Sequence, residues 1–180
     1  AYDILDTPRE ADFDDIVRLA SQICGTPISV INLIDVERQW FKAEVGLGVR
    51  ETPLETSLCS HAILEDAFME IPDTLADRRM QDNALCTGEP GLRFYAGALL
   101  RTEDGLPLGT LCVLDYKPRV LSEFQRDALS ILARQIMKQL DLRLALKRQE
   151  LMQKEVDHRV KNSLASVAGL VRLQLGREKD

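Results

Sequence analysis

From Ser122 to Leu175 the chain carries no proline, and Gly169 is the only glycine. A run this long outlasts an ordinary globular helix, which rarely exceeds about 25 residues without a stop signal. It therefore needs a partner surface along its length. Ser122 as N-cap and Gln125 three positions later form a capping box that marks where the helix begins. Behind it Leu129, Leu132, Ile136, Leu140 and Leu144 recur at steps of three and four, falter at Lys147 and resume at Leu151. A second copy of the same stripe satisfies such a pattern best, so a parallel dimeric coiled coil is expected. A helix lying on a sheet would absorb only the first three or so turns.

The same argument gives a direction to one side chain. Val156, Val160, Leu164, Val167, Val171 and Leu175 step by four, four, three, four and four, defining one buried stripe. At ~100° per residue, His158 lies roughly 150° from the centre of that stripe. Asn162, Ala165 and Gly169 share its outward side, and the small residues leave room for another protein to reach the ring. A solvated surface histidine is the plainer alternative.

Upstream, the pattern changes from helix to strand. Thr7 reads as an N-cap with Pro8 at the first helical position and Glu10 completing a capping box. Phe13, Ile16, Val17, Ala20, Ile23 and Cys24 then make an amphipathic helix that ends near Gly25. Residues 27–34 alternate as a strand, Ile28, Val30 and Asn32 against Ser29, Ile31 and Leu33, and a polar turn leads to a second strand at 39–46. A short helix is expected at 56–64, a short strand at 68–71, and a Gly/Asp/Asn/Pro-rich loop over 73–91. Strands at 94–102 and 108–115 flank Glu103-Asp104-Gly105, which supplies hairpin-turn residues. Helix, hairpin, helical crossing and hairpin describe an α+β domain on an antiparallel sheet.

Charge follows a different division. Residues 1–137 hold 13 basic and 23 acidic side chains, and residues 138–180 hold 10 and 6. The change falls inside the continuous helix, so the domain boundary is expected nearer 120. The net acidity argues against a nucleic-acid partner. No apolar run reaches the ~18 residues of a membrane span, and the N-terminus lacks a signal-peptide pattern. Cys24, Cys59, Cys86 and Cys112 are widely spaced. Two disulfides are compatible with that count, but four reduced thiols in a cytoplasmic protein are expected.

The segments WFKAEVGL (40–47), SLCSHAI (57–63), RFYAGALL (93–100) and LGTLCVLD (108–115) resemble, in order and spacing, those of bacterial GAF domains. The resemblance implies a central antiparallel sheet of five or six strands. The N-terminal helix and the helix from about 122 would pack on one face, with a pocket for a possible small-molecule ligand on the other. It implies no particular ligand. Cys59 and His61, one residue apart, point about 200° apart on a helix, so they cannot both bind one metal, and none is expected. His61 is read as a hydrogen-bonded structural residue. Cys59 or Cys86 could supply a bilin thiol, but the surrounding residues lack the chromophore signature. Cys24 and Cys112 read as small core hydrophobes. Asp77-Arg78-Arg79 and Arg93 read as a solvated basic face, with anion binding as the alternative. No catalytic set appears in this part of the chain.

Residues 155–162 resemble the phosphoacceptor box of HWE and HisKA_2-type sensor histidine kinases: His158-Arg159-Val160-Lys161-Asn162, preceded by Glu155. The resemblance implies that His158 is phosphorylated, its neutral imidazole being a suitable nucleophile near pH 7. Glu155, one turn before, would orient the ring or take its proton. Asn162, one turn after, would bond the phosphoryl group or the incoming catalytic domain. Arg159 and Lys161 would steer phosphate or serve as solvated charges.

The expected organisation is a GAF domain over 1–120 and a signalling coiled coil over 121–154. The first helix of a dimerisation and phosphotransfer domain follows over 155–180. The chain stops short of the second helix of that hairpin and of an ATP-binding domain. ATP, Mg and the response regulator therefore belong to the longer parent, and this chain is expected to be inactive alone. Two alternatives remain: a non-enzymatic ligand-binding and dimerisation module, and a GAF-type free methionine sulfoxide reductase. The latter requires Cys59, Cys86 or Cys112 to converge.

Overall fold

Two antiparallel hairpins organise the sheet, and the strands that build them are those the alternation predicts. The computed structural model describes the backbone of residues 2–177 and the side chains of 2–166. Its order is α1 (Ala11–Cys24), β1 (Ile28–Ile34), β2 (Arg38–Val45), β3 (Glu51–Pro53), α2 (Cys59–Ala62), β4 (Phe68–Ile71), α3 (Ala84–Thr87), β5 (Phe94–Arg101), β6 (Pro107–Asp115) and α4 (Glu123–Arg177). Hairpins β1–β2 and β5–β6 join through β1 and β6, giving a six-stranded sheet of order β3-β2-β1-β6-β5-β4. Gly109 permits the central seam, because a Cβ there would lie 2.0 Å from the Asn32 carbonyl oxygen. Strand β3 was not expected. Three residues, one of them Pro53, carry no readable period, and only pairing with Arg38–Trp40 makes them a strand.

Alternation sends side chains to two cores. On one side α1 packs against β1, β2 and β6 and buries Phe13, Val17, Ala20 and Cys24. The opening turns of α4 bury Leu129, Ala133 and Ile136, and Gln125 Nε2 donates to the Ile23 carbonyl at 2.9 Å, tying α4 to the end of α1. On the other side Ile28, Val30, Phe41, Met69, Ile71, Tyr95, Cys112 and Leu114 form one buried cluster with Leu58, Cys59, Ala62, Met80, Cys86 and Leu92. Each fully buried Val, Leu, Ile, Phe or Met among them contributes about 1.5–3 kcal/mol.

The helix ends test the local reading. Ser122 and Gln125 bond reciprocally: Ser122 N–H donates to Gln125 Oε1 at 3.0 Å, and Gln125 N–H to Ser122 Oγ at 3.3 Å. Gly25, at φ 62°, closes α1 with its N–H on Gln22 O, while Thr26 N–H reaches Ser21 O. Thr7 is not the N-cap of α1. The helix starts at Ala11 after Glu10, and Thr7 Oγ1 instead accepts from Lys42 Nζ at 2.8 Å. Pro8 O accepts from the same ammonium, and Glu10 pairs with it, so the expected cap is a clamp around a buried lysine.

The chain divides into two compact units, one over Asp3–Gln139 and the other built on the helix from Leu140. In the first, Leu129 and Ile136 of the long stripe are consumed internally. In the second, Leu140 of the same stripe is buried and Leu144 half-buried, while Leu151, Val156, Val160 and Leu164 are exposed, as are Leu142 and Leu146 off the stripe. The remaining stripe positions, Val167, Val171 and Leu175, and the outward Gly169 lie outside the described side chains. Among the described residues no helix is long and apolar enough to cross a membrane.

Candidate functional site

The first unit holds a cavity of about 90 Å³ on the sheet face beneath α2 and α3. Val30, Phe41, Leu58, Leu85, Leu92 and Leu114 make its walls apolar. Its polar corner is Asn32 and Gln39, and their groups are already spent on one another and on the protein. Asn32 Nδ2 donates to Gln39 Oε1 at 2.9 Å, and Asn32 Oδ1 accepts from Thr110 N–H at 3.0 Å. Ser57 Oγ donates to Gln39 Oε1 at 2.7 Å, and Gln39 Nε2 donates to Thr52 Oγ1. This network fixes α2 against β1 and β2, and it leaves little hydrogen-bonding capacity for a polar ligand.

Cys59 and Cys112 both line the cavity, with their Sγ atoms 3.7 Å apart. Tyr95 Oη donates to Cys59 Sγ at 3.4 Å. Burial works against a Cys59 thiolate, but hydrogen bonds from Cys112, Thr110, Tyr95 and Asn32 outweigh it and bring this thiol below the ordinary range. Cys112 moves the other way, raised first by its bond to Cys59 and then by burial. Of the sequence-level candidates, the fold thus brings Cys59 and Cys112 together, while Cys86 packs in the same cluster without lining the cavity. Burial raises the Cys86 thiol, and on the opposite face it pushes Cys24 up to about 11. His61 stands half-buried on α2 with no hydrogen bond to its ring among the described residues.

Of the basic side chains singled out in the sequence, Arg79 and Arg93 are paired, while Arg78 is exposed. Arg93 makes two bonds to the Asp73 carboxylate, at 2.9 and 2.8 Å. Arg79 is held by Asp77 and Glu65. A wider depression of about 490 Å³ between the β1–β2 turn and β3 centres on Arg38, which Asp6, Asp35 and Glu51 surround. The guanidinium groups of Arg38, Arg79 and Arg93 face protein carboxylates rather than an incoming anion.

In the second unit His158 is exposed on α4. Asn162, one turn on, brings its amide nitrogen to 3.3 Å from His158 Nδ1. Glu155 turns to Arg159, whose Nε donates to it at 2.8 Å, rather than to the imidazole. Both members of that pair are well exposed, so exchanging it for another partner costs at most about 1 kcal/mol.

An antiparallel sheet with α1 and the start of α4 on one face, and a small apolar hollow beneath α2 and α3 on the other, defines the class of domain. The chain belongs to the GAF domain family, whose model matches residues 8–140. A histidine kinase model of HisKA_2 type matches residues 155–180, and this order of segments matches a sensor-kinase module. A cyclic di-GMP phosphodiesterase of Pseudomonas aeruginosa is 44% identical over 116 residues, which are 64% of this chain and 20% of that protein. The chain thus spans a fifth of that relative's length. Among solved structures, a free methionine-R-sulfoxide reductase of Neisseria meningitidis superposes with a TM-score of 0.61 at 15% identity, covering 76% of this chain and 80% of that one. A domain of a protein described as a two-component sensor histidine kinase, from Sinorhizobium meliloti, gives 0.57 at 16% identity, covering 77% and 95%. At such identities these superpositions speak for the fold alone.

Proposed function

We propose that this chain is the sensory and phosphoacceptor part of a two-component sensor histidine kinase acting in the cytoplasm. Residues 1–120 serve as the GAF sensor, 121–154 as the signalling helix, and 155–180 as the first helix of the dimerisation and phosphotransfer domain. The observation that carries this reading is the exposed His158 within the segment matched by the histidine kinase model. In the parent protein, His158 attacks the γ-phosphorus of ATP held by a separate catalytic domain, ADP leaves, and the phosphoryl group passes to a response-regulator aspartate.

Attack requires a ring nitrogen with its lone pair free. With the Asn162 amide turned so that its oxygen accepts Nδ1–H, the lone pair on Nε2 faces solvent. Asn162 thereby sets the tautomer. Glu155, released from Arg159, stands one turn before the ring and takes the Nδ1 proton once Asn162 gives it up, after the phosphorus–nitrogen bond has formed. The exposed positions Leu151, Val156, Val160 and Leu164 pair two chains as a homodimer, and a change in helix packing near Lys147 alters how His158 is presented.

The test is transfer from γ-labelled ATP by the full-length parent or a separately supplied ATP-binding domain. Acid-labile, base-stable label is expected on the wild-type chain and absent from His158→Ala. Labelling that survives this substitution unchanged would refute the assignment.

A further inference from the structure

Cys59 and Cys112 are separated by 53 residues yet meet across the cavity, one from the single-turn helix α2 and one from the central strand β6. Both are buried and free. A disulfide needs sulfur atoms about 2.05 Å apart, so closing the pair requires an approach of only about 1.7 Å. One partner rests on a four-residue helix flanked by turns, an element able to shift by that amount, whereas β6 is paired on both sides. The cavity also reaches the surface, since Leu85 and Thr52 on its lining are partly exposed. Its free volume suits a small uncharged molecule better than a large polar ligand.

We infer that Cys59 and Cys112 are an oxidant-responsive dithiol, which a small hydroperoxide entering this cavity converts to an intramolecular disulfide. Cys59 sulfur attacks the peroxide, the O–O bond breaks, and Cys59 becomes a sulfenic acid as water (or an alcohol) is released. Cys112 sulfur then attacks the Cys59 sulfur, the S–O bond breaks, and a second water leaves as the S–S bond forms. The two thiols give up two electrons and two protons, and the peroxide takes them. The order of attack follows from Cys59 being the thiol that the surrounding hydrogen bonds acidify. Closure pulls α2 toward β6 and strains the Ser57–Gln39–Asn32 network that anchors it. This site is independent of the assignment of His158.

The experiment treats the folded 180-residue chain with hydrogen peroxide, blocks remaining thiols and maps peptides without reduction. The expected product is a Cys59–Cys112 linked peptide within one chain, with Cys24 and Cys86 still blocked as free thiols and the link reversed by a thiol reductant. In Cys112→Ser the link is lost and a dione reagent captures the sulfenic acid on Cys59. The double variant Cys24→Ser/Cys86→Ser, which keeps the pair, must still form the link. Failure of that variant or of the wild-type chain to form it, links through Cys24 or Cys86, or links solely between chains would overturn the proposal.

Discussion

Glu70 Oε2 on the edge strand β4 lies 2.7 Å from Arg126 Nε in the opening turns of α4. Glu70 Oε1 accepts the Leu121 N–H at 2.8 Å, just before the Ser122 cap. One carboxylate, largely shielded from solvent, thus holds both the approach to the long helix and its first turn against the sheet.

Its two bonds differ in weight. Leu121 N–H is a part-buried donor, and leaving it unpaired costs about 1–3 kcal/mol. The Arg126 guanidinium is half exposed, and its pair is worth at most about 1 kcal/mol. Glu70→Ala is therefore expected to lower the stability of the first unit by about 2 kcal/mol, and Arg126→Ala by less than half as much. Urea unfolding monitored by circular dichroism measures both, and equal losses would contradict the ranking.

The clamp on Lys42 predicts an asymmetry. The lysine side chain is 1% exposed while that of its partner Glu10 is 33% exposed. Glu10→Ala leaves a buried ammonium with no carboxylate, held by Thr7, Pro8 and the Phe13 ring, an expected loss of about 2 kcal/mol after allowing for the hydration of Glu10. Lys42→Met removes the charge, keeps volume over the Phe13 ring and lets Glu10 turn to water. It is expected to cost less than Glu10→Ala in the same unfolding assay.

Acid sensitivity follows from Glu44. Burial alone would raise its carboxyl, but N–H donors from Gly48 and Leu47 and the Arg9 guanidinium hold it below the ordinary value. A carboxyl lowered on folding contributes stability that is complete above its unfolded value of ~4.3 and is lost as pH falls through the folded value. The wild-type chain is expected to lose stability below about pH 4.3. Glu44→Gln should be less stable at neutral pH and show a shallower acid limb. Asp73 and Asp77, lowered by Arg93 and Arg79, add to that limb. Stability measured from pH 2 to pH 7, for both proteins, checks the slopes.

The exposed apolar stripe of α4 predicts self-association. Val156 and Val160 are 53% and 52% exposed in a single chain, and Leu164 is 64% exposed. A charge placed on this stripe must be desolvated to pair. Val160→Glu is expected to weaken the dimer about tenfold, equivalent to about 1.4 kcal/mol. Sedimentation equilibrium reads the constant directly, and an unchanged constant would exclude this stripe as the interface.

Much of this molecule is local and was legible as such. The Ser122–Gln125 box, the Gly25 terminator, five of the six strands and the long helix are set by spacing within a few residues, where periodicity and capping act. The outward direction predicted for His158 rests on the same helical geometry. The charge change near 138 was expected to fall inside a continuous helix, and α4 runs through it from Glu123 to Arg177. Only the tertiary structure decided that Thr7, Pro8 and Glu10 close on Lys42, that Arg79 and Arg93 are held by carboxylates, and that Cys59 meets Cys112. Such juxtapositions depend on strand register and on how loops of twenty residues cross a sheet. Neither leaves a periodic trace, because loop closure costs entropy that only the assembled core repays. Composition and spacing thus determined which elements form, and packing decided which side chains share a cavity.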